Sequence, residues 1–390
     1  MMRLCRLIAP AAIAAACALF ASPALAGESA RAATSAAATA PAAEKSAAPA
    51  AKTAAEKPAR TEPPVVPAPP PGPAPSAAGF CFKDTPGEYL DAYLDGRAAA
   101  RYMYANDTST PQKAHETYKP FLHVFDAEGK STITKGAGGY YTHHRGIFIG
   151  WTRLAVGGTR CDMWGMGGGR QEHKKFIAQS AGPDQAAVTS LVAWNLKDDK
   201  TVIEEERTFT FHRRPAPTLL LVDVTSKLKA LADDVILDGD PEHAGVHYRP
   251  ANEVDRAATH YCLPREGVPQ GMDAAAEWGP MSVTTLEGKR TGVTRIPQAD
   301  LPWAAISYSL GGKRYFAQEI SASGNPPGGI WSAYRDYGRF GVFQKGEIKA
   351  GQTLTLRHRF WVGAGDPPSR AVLQKQCDEF ARAPAASAPK

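Results

Sequence analysis

The chain has 390 residues, 43% of them hydrophobic and 22% charged, and a formal net charge of +6 at neutral pH. Half of that charge lies in residues 1–77, so the rest is close to neutral, and no basic run interleaved with aromatics marks a nucleic-acid surface. Nothing after residue 26 is apolar for long enough to cross a bilayer as a helix, and no CxxC pair marks a cysteine zinc site.

The first residues, MMRLCR, carry two positive charges, and an apolar stretch from Leu7 to Ala21 leads to the small-x-small sequence Ala24-Leu25-Ala26. That order is the pattern of a cleavable secretory signal over residues 1–26, and it predicts a periplasmic or secreted protein beginning near Gly27. Residues 27–78 are almost entirely Ala, Pro, Lys, Glu, Ser and Thr, ending in PPVVPAPPPGPAPSAAG. Such a segment has too little apolar surface to offset the cost of ordering its backbone. A disordered linker with a stiff, extended proline-rich half is expected.

From residue 79 to 365 the pattern is strand after strand. Phe121–Phe125 and Ser131–Thr134 flank the turn Asp126–Gly129. Two Gly-Gly loops, Gly157-Gly158 and Gly311-Gly312, each join a pair of β-rich runs, because glycine accepts the positive φ of tight hairpins. Val202–Phe211 alternates and predicts an antiparallel partner in Leu219–Leu228, with Thr353–Val362 as a last strand. Many strands at short spacing predict an all-β fold, a large antiparallel β-sandwich. In the tail, residues 366–390, Ser369 is placed to cap a short helix with Leu373, Cys377 and Phe380 on one face, before a disordered end. Four cysteines follow the signal: Cys81, Cys161, Cys262 and Cys377. Either they pair, with a Cys81–Cys377 bridge fastening the ends of the domain, or they remain thiols.

Four clusters carry chemistry. In Tyr140-Tyr-Thr-His143-His144-Arg145, the two imidazoles point to opposite faces if a strand starts at His143, and share a site only if both lie in the loop. The glycine-rich loop after Trp164 presents Arg170 and His173. In Asp238-Gly-Asp240-Pro-Glu242-His243, with His247 and Arg249 following, carboxylates and imidazoles together suit proton transfer or a divalent metal, although the spacing matches no ligand signature. In Trp331-Ser-Ala-Tyr334-Arg335-Asp336-Tyr337, Arg335 and Asp336 are adjacent and open to pairing with each other. No GxSxG elbow, HExxH, Walker loop or nucleotide fingerprint occurs, so no nucleotide cofactor is expected. Aromatic, arginine and acidic side chains beside glycine loops suit a sugar, with rings to stack on it and forked donors for its hydroxyls.

The run THHRGIFIGWTRL…GGTRCDMWG, then EEERTFTFH, GDPEHAGVHYR and WSAYRDYGRFGVF, resembles the bacterial "PmoA family", so-called methane oxygenase PmoA, a domain of unknown function, over roughly residues 95–363. The resemblance implies a β-sandwich akin to the galactose-mutarotase supersandwich and a sugar-related role. The chain departs from that pattern at Tyr141-Thr142 and at Val342–Lys345.

The expectation is an exported protein acting on a small-molecule carbohydrate by acid–base chemistry: hydrolysis, elimination or epimerisation. His143, His144, Glu242 and His243 would be catalytic. Arg145, Trp164, Arg170, His173, Arg249, Arg335, Asp336 and Tyr337 would bind the sugar. Two alternatives stand beside it: a non-catalytic sugar-binding or envelope module, and a metal-dependent oxygenase as the family label suggests.

Overall fold

The computed structural model describes residues 64–73, 75, 78–270, 273, 275–284 and 290–382, so the expected signal, the first part of the linker and the disordered end lie outside the described residues. In chain order the elements are β1 (Phe80–Thr85), β2 (Tyr89–Leu94), β3 (Arg97–Met103), α1 (Pro111–Thr117), β4 (Phe121–Val124), β5 (Gly146–Trp151), β6 (Arg153–Val156), β7 (Thr159–Cys161), β8 (Gly169–Ala181), β9 (Gln185–Leu196), β10 (Thr201–His212) and β11 (Thr218–Ala230). Then come β12 (Val235–Asp238), β13 (Ala244–Arg249), β14 (Val254–Cys262), β15 (Ser282–Thr284), β16 (Arg290–Gly292), β17 (Trp303–Leu310), β18 (Lys313–Ser321), β19 (Ile330–Trp331), β20 (Phe340–Phe343), β21 (Gly346–Ile348), β22 (Thr353–Ala364) and α2 (Arg370–Arg382).

The fold is all-β, a large antiparallel sandwich, as the strand pattern predicts. One eight-stranded sheet runs β1-β2-β3-β4-β5-β13-β20-β19, and the other runs β14-β17-β18-β22-β11-β10-β9-β8. Their facing sides share one core, to which the first sheet contributes Leu122, Ile147, Ile149, Val246 and Tyr248 and the second Phe209, Val222, Ile306 and Phe360. Each such side chain contributes about 1.5–3 kcal/mol by leaving water. The predicted hairpins at Gly157-Gly158 and Gly311-Gly312 form, all four glycines having positive φ. Val202–Phe211 and Leu219–Leu228 pair as expected, Phe209 opposite Val224. Ser131–Thr134 is not a strand; its backbone makes only isolated bridges from Thr132 and Thr134.

On the outer side of the second sheet, α2 buries Leu373, Cys377 and Phe380 against Trp303, Phe316 and Trp361. All four cysteines are free: Cys377 packs here with Cys262, whereas Cys81 belongs to a small cluster with Tyr93, Ala98 and Phe125. The Cys81–Cys377 bridge is therefore not made, because the two thiols are built into different apolar clusters.

The outer side of the first sheet positions the site. Alternation along β5 and β13 sends Phe148 and His247, directly opposite each other, outward, while Ile147, Ile149, Val246 and Tyr248 point into the core. Farther along the same face, Arg101 and Asp91 form a buried bidentate pair. Over it runs the proline-rich stretch 64–73, where a free spacer is expected from composition. Val66 donates to the Ala137 carbonyl at 2.8 Å, Arg101 reaches the Pro69 carbonyl, and the Tyr93 hydroxyl meets the Gly72 carbonyl at 3.1 Å. Proline-rich chain has little conformational freedom to lose and keeps its carbonyls unpaired, which suits it to such docking.

Candidate functional site

The loop 136–145 between β4 and β5 carries His143 and His144, and two buried cations shape it. The Lys135 ammonium donates to the carbonyls of Gly136, Gly138, Tyr141 and His144 at 2.5–3.4 Å. On the other side the Arg145 guanidinium donates to the carbonyls of Thr142, Glu116 and His115 at 2.7–3.0 Å and lies 4.0 Å from the Tyr118 ring centre. Both cations hold the backbone and leave the imidazoles unclaimed. The loop closes tightly, with Tyr141 in the left-handed region at φ 52°, an uncommon position for a bulky residue. A Cβ on Gly138 would collide with the Pro64 carbonyl, so the glycine run admits the proline-rich stretch.

His143 and His144 both lie in this loop rather than on a strand, and their rings come within 4.3 Å of each other. His144 is enclosed by Tyr141, Trp164 and Phe148 at 5.2, 5.7 and 6.1 Å, with the Tyr337 ring stacked nearly parallel at 6.4 Å. Both of its ring nitrogens are buried and make no hydrogen bond. His247 stands edge-on to Trp164 at 4.7 Å. Gly341, opposite His247 on β20, leaves room for that ring, which a Cβ would meet. Burial, reinforced by Lys119 and then by His243, Arg339 and Lys135, holds the His143 imidazole down at about 2. Burial likewise drives His144 and His247 well below the usual histidine range, His143 and Arg339 being the next largest causes respectively. All three are neutral at physiological pH.

The turn after β12 supplies the carboxylate. Glu242 accepts from the Tyr334 hydroxyl at 2.9 Å and is paired with Arg335, and its carbonyl accepts from Arg339 at 2.8 Å. His243 is exposed at the rim, 2.9 Å from Asp240. Arg249, buried, donates to the Tyr337 carbonyl and to Asn252, which fixes Tyr337 beside His144. Arg335 and Asp336 do not pair with each other, since Arg335 turns to Glu242 and Asp336 lies 3.6 Å from Arg256.

The structure thus gathers His143, His144, Trp164, Glu242, His243, Arg335 and Tyr337 on one outer patch. It does not bring the others there. Arg145 is spent on three carbonyls and is 0% exposed. Arg170, on β8, pairs with Asp199 and Glu172. His173 has Tyr104, Phe176 and Tyr102 as ring neighbours. Trp164 is the floor of the patch, 1% exposed, rather than an open platform. Given no site role from the sequence are Lys119, Tyr141, His247, Tyr334 and Arg339, although His247 and Tyr334 stand inside two of the clusters. The exposed Tyr140-Tyr141 pair beside a glycine run was the available signal for Tyr141; an isolated lysine after α1 offered none. A separate cavity of about 560 Å³ beside α2, lined by Ser321, Asn325, Gln344, Arg357 and Phe380, contains none of these imidazoles. Among the described residues, no group of three His, Cys, Asp or Glu side chains is arranged to hold a metal ion, and no helix is long and apolar enough to cross a membrane.

Among solved structures, the chain is similar to the Slr1438 protein from Synechocystis sp. PCC 6803, with 9% identity, a TM-score of 0.35, and coverage of 75% of this chain and 98% of that one. It is similar to galactose 1-epimerase from Lactobacillus acidophilus NCFM, with 8% identity, a TM-score of 0.29, and coverage of 74% and 95%. A third similar structure is a mutant of the heparan sulfate lyase HepC from Pedobacter heparinus, with 11% identity, a TM-score of 0.30 and coverage of 75%. The chain spans 38% of that lyase, and 32% of a protein described as a kojibiose phosphorylase from the human microbiome. No curated protein matches the sequence. The resemblance to the "PmoA family" is corrected by the family match, and the oxygenase reading, which that label alone carried, falls with it. Residues 89–378 match the model of DUF6807, a family of unknown function, and the chain belongs to that family.

Proposed function

We propose that this is an exported, carbohydrate-active protein that performs acid–base chemistry on a sugar or glycoside at the outer patch of the first sheet. One observation carries the reading: neutral imidazoles, aromatic rings and one carboxylate lie together on the outer side of the first sheet, with Tyr141 and His243 exposed at the rim. Tyr141 and Tyr337 offer ring faces, Arg335 and Tyr334 hold Glu242, and His143 at the partly open edge is the proton-transfer group, with His144 behind it. Incubation of residues 27–390 with a panel of glycosides, 3-keto-glycosides and uronates, followed by mass spectrometry, tests this. A product that vanishes in His143→Ala or His144→Ala supports it; a product that persists in the folded double variant removes both from the chemistry.

A second reading has its own support. An imidazole held at about 2 is a weak base in the empty site, so the same groups also suit a sugar-binding module in which they only donate and accept hydrogen bonds. Ligand-dependent stabilisation without product would favour it.

A further inference from the structure

Three guanidiniums and one lysine are buried around the imidazole patch with no carboxylate at salt-bridge distance among the described residues. Lys119 is 1% exposed; its ammonium donates to the Trp164 carbonyl at 2.8 Å and stands 4.3 Å from the centre of the Phe148 ring. Arg145 and Arg249 donate mainly to main-chain carbonyls, and Arg339 donates to the Glu242 carbonyl and to His247. Carbonyl dipoles satisfy N–H groups but do not cancel charge. The nearby acids are engaged elsewhere: Glu242 with Arg335 and Tyr334, Asp336 with Arg256, and Asp162 with the main-chain N–H groups of Trp164 and Gly165. Buried charge without a counter-charge is costly: burial, then the Arg145 guanidinium, drives Lys119 well below the usual lysine range. The standing positive potential therefore comes from the three guanidiniums, with Lys119 beside them as a donor whose proton an entering anion would stabilise.

The unmet hydrogen-bonding atoms at the patch are mostly donors. Trp164 Nε1, Arg335 Nε and Arg339 Nε are buried donors without partners, and one of the two free nitrogens of His144 carries a proton. Donors left over in a positive field define an anionic, oxygen-rich guest. We propose that the ligand of this site is a sugar acid, a uronate or aldonate, whose carboxylate is received beside Lys119 and Arg339 while its ring meets Tyr141 and Tyr337. The proposal rests on the sugar reading above and narrows it. It also bears on the weakness of the imidazole: burial is the larger cause, and a carboxylate entering the site opposes the part that Lys119, His243 and Arg339 add, which raises the proton affinity of His143. The substrate arms its own acid–base group.

The experiment is calorimetric titration of residues 27–390 with galacturonate and glucuronate, with galactose and glucose as matched neutral sugars, and with acetate and inorganic phosphate as plain anions. A uronate is expected to bind at least about tenfold more tightly than its hexose, with affinity falling as salt rises, while acetate and phosphate fail to compete. A hexose binding as well as its uronate overturns the anionic class and leaves the sugar reading standing. Acetate or phosphate binding as well as the uronate overturns the sugar acid in favour of a general anion site. If no probe binds and the mass-spectrometric panel yields no product, both readings fall. Lys119→Met should abolish the preference for uronate over hexose without lowering the melting temperature of the free protein, and Lys119→Arg should keep it. A variant that melts lower but keeps the preference assigns Lys119 to packing and overturns its role here.

Discussion

Arg339 donates to Nδ1 of His247 over 3.2 Å, while the opposite nitrogen, Nε2, lies 2.8 Å from the Ala244 carbonyl. A nitrogen that accepts from a guanidinium carries no proton, and one facing a carbonyl must donate. The ring is therefore fixed as the neutral Nε2–H tautomer. Nitrogen-15 NMR should show that tautomer unchanged from about pH 8 to about pH 5, and Arg339→Gln should release it to titrate.

His143 and His144 should separate by stability. His144 is enclosed by rings, so His144→Ala leaves a void and should cost about 1–3 kcal/mol in denaturant unfolding. His143→Ala, at the partly open edge, should cost under about 1 kcal/mol. If the patch is catalytic, each should lower turnover about 100-fold or more.

Parts of this arrangement are legible in the sequence because they are local. Gly-Gly turns between alternating runs require only glycine's positive φ and a period of two, and they appear where expected. The imidazole, carboxylate and arginine clusters at 143–144, 242–243 and 335–337 are also visible. Their convergence is not, because β5, β13 and β20 become neighbours only through pairing across nearly two hundred residues of chain. Arg145 and His143 look alike on paper; only the fold shows that Arg145 faces inward to three carbonyls. Lys119 is legible in no motif, since its meaning lies in the acid it lacks.

Acid should destabilise the fold. Burial is the largest cause in holding His123 and His358 at about 3 and His143 at about 2, and in driving His144 and His247 well below their usual value. The unfolded chain takes up these protons as pH falls below about 6.5 and the folded protein does not, so stability drops by about 1.4 kcal/mol per pH unit for each such group. Glu319, raised well above the carboxylate range by burial, acts oppositely, and its carboxyl lies 3.1 Å from His358 Nδ1, so this buried pair shares a proton and its two contributions oppose each other. Four imidazoles lie outside that pair and dominate. Melting temperature should fall steadily from pH 7 to pH 5.

Glu205 should behave as a structural residue. Its carboxylate, 0% exposed, receives Arg207 through two nitrogens, Trp194 at 2.8 Å and Ser226 at 2.6 Å. Glu205→Gln leaves the Arg207 charge buried without its partner and should cost about 3–5 kcal/mol in denaturant unfolding, with ligand preference unchanged in whatever fraction stays folded.

The docking of residues 64–73 can be weighed by amide exchange. Val66→Pro removes the N–H that meets Ala137, so amides from 137 to 144 should exchange faster while those in β10 and β11 do not change.

That docking has a practical bearing on how the family is sampled. The stretch that reads as linker lies ahead of residue 89, where the family match begins, yet it forms one wall of the loop that bears His143 and His144. A gene fragment trimmed to the family boundary would encode the second sheet, the first sheet without its edge strand β1, and every residue of the patch, but with the support under Gly136–Gly139 removed. A silent assay on such a fragment would report on the trimming, and a sugar rejected by it would deserve a second trial against the longer chain.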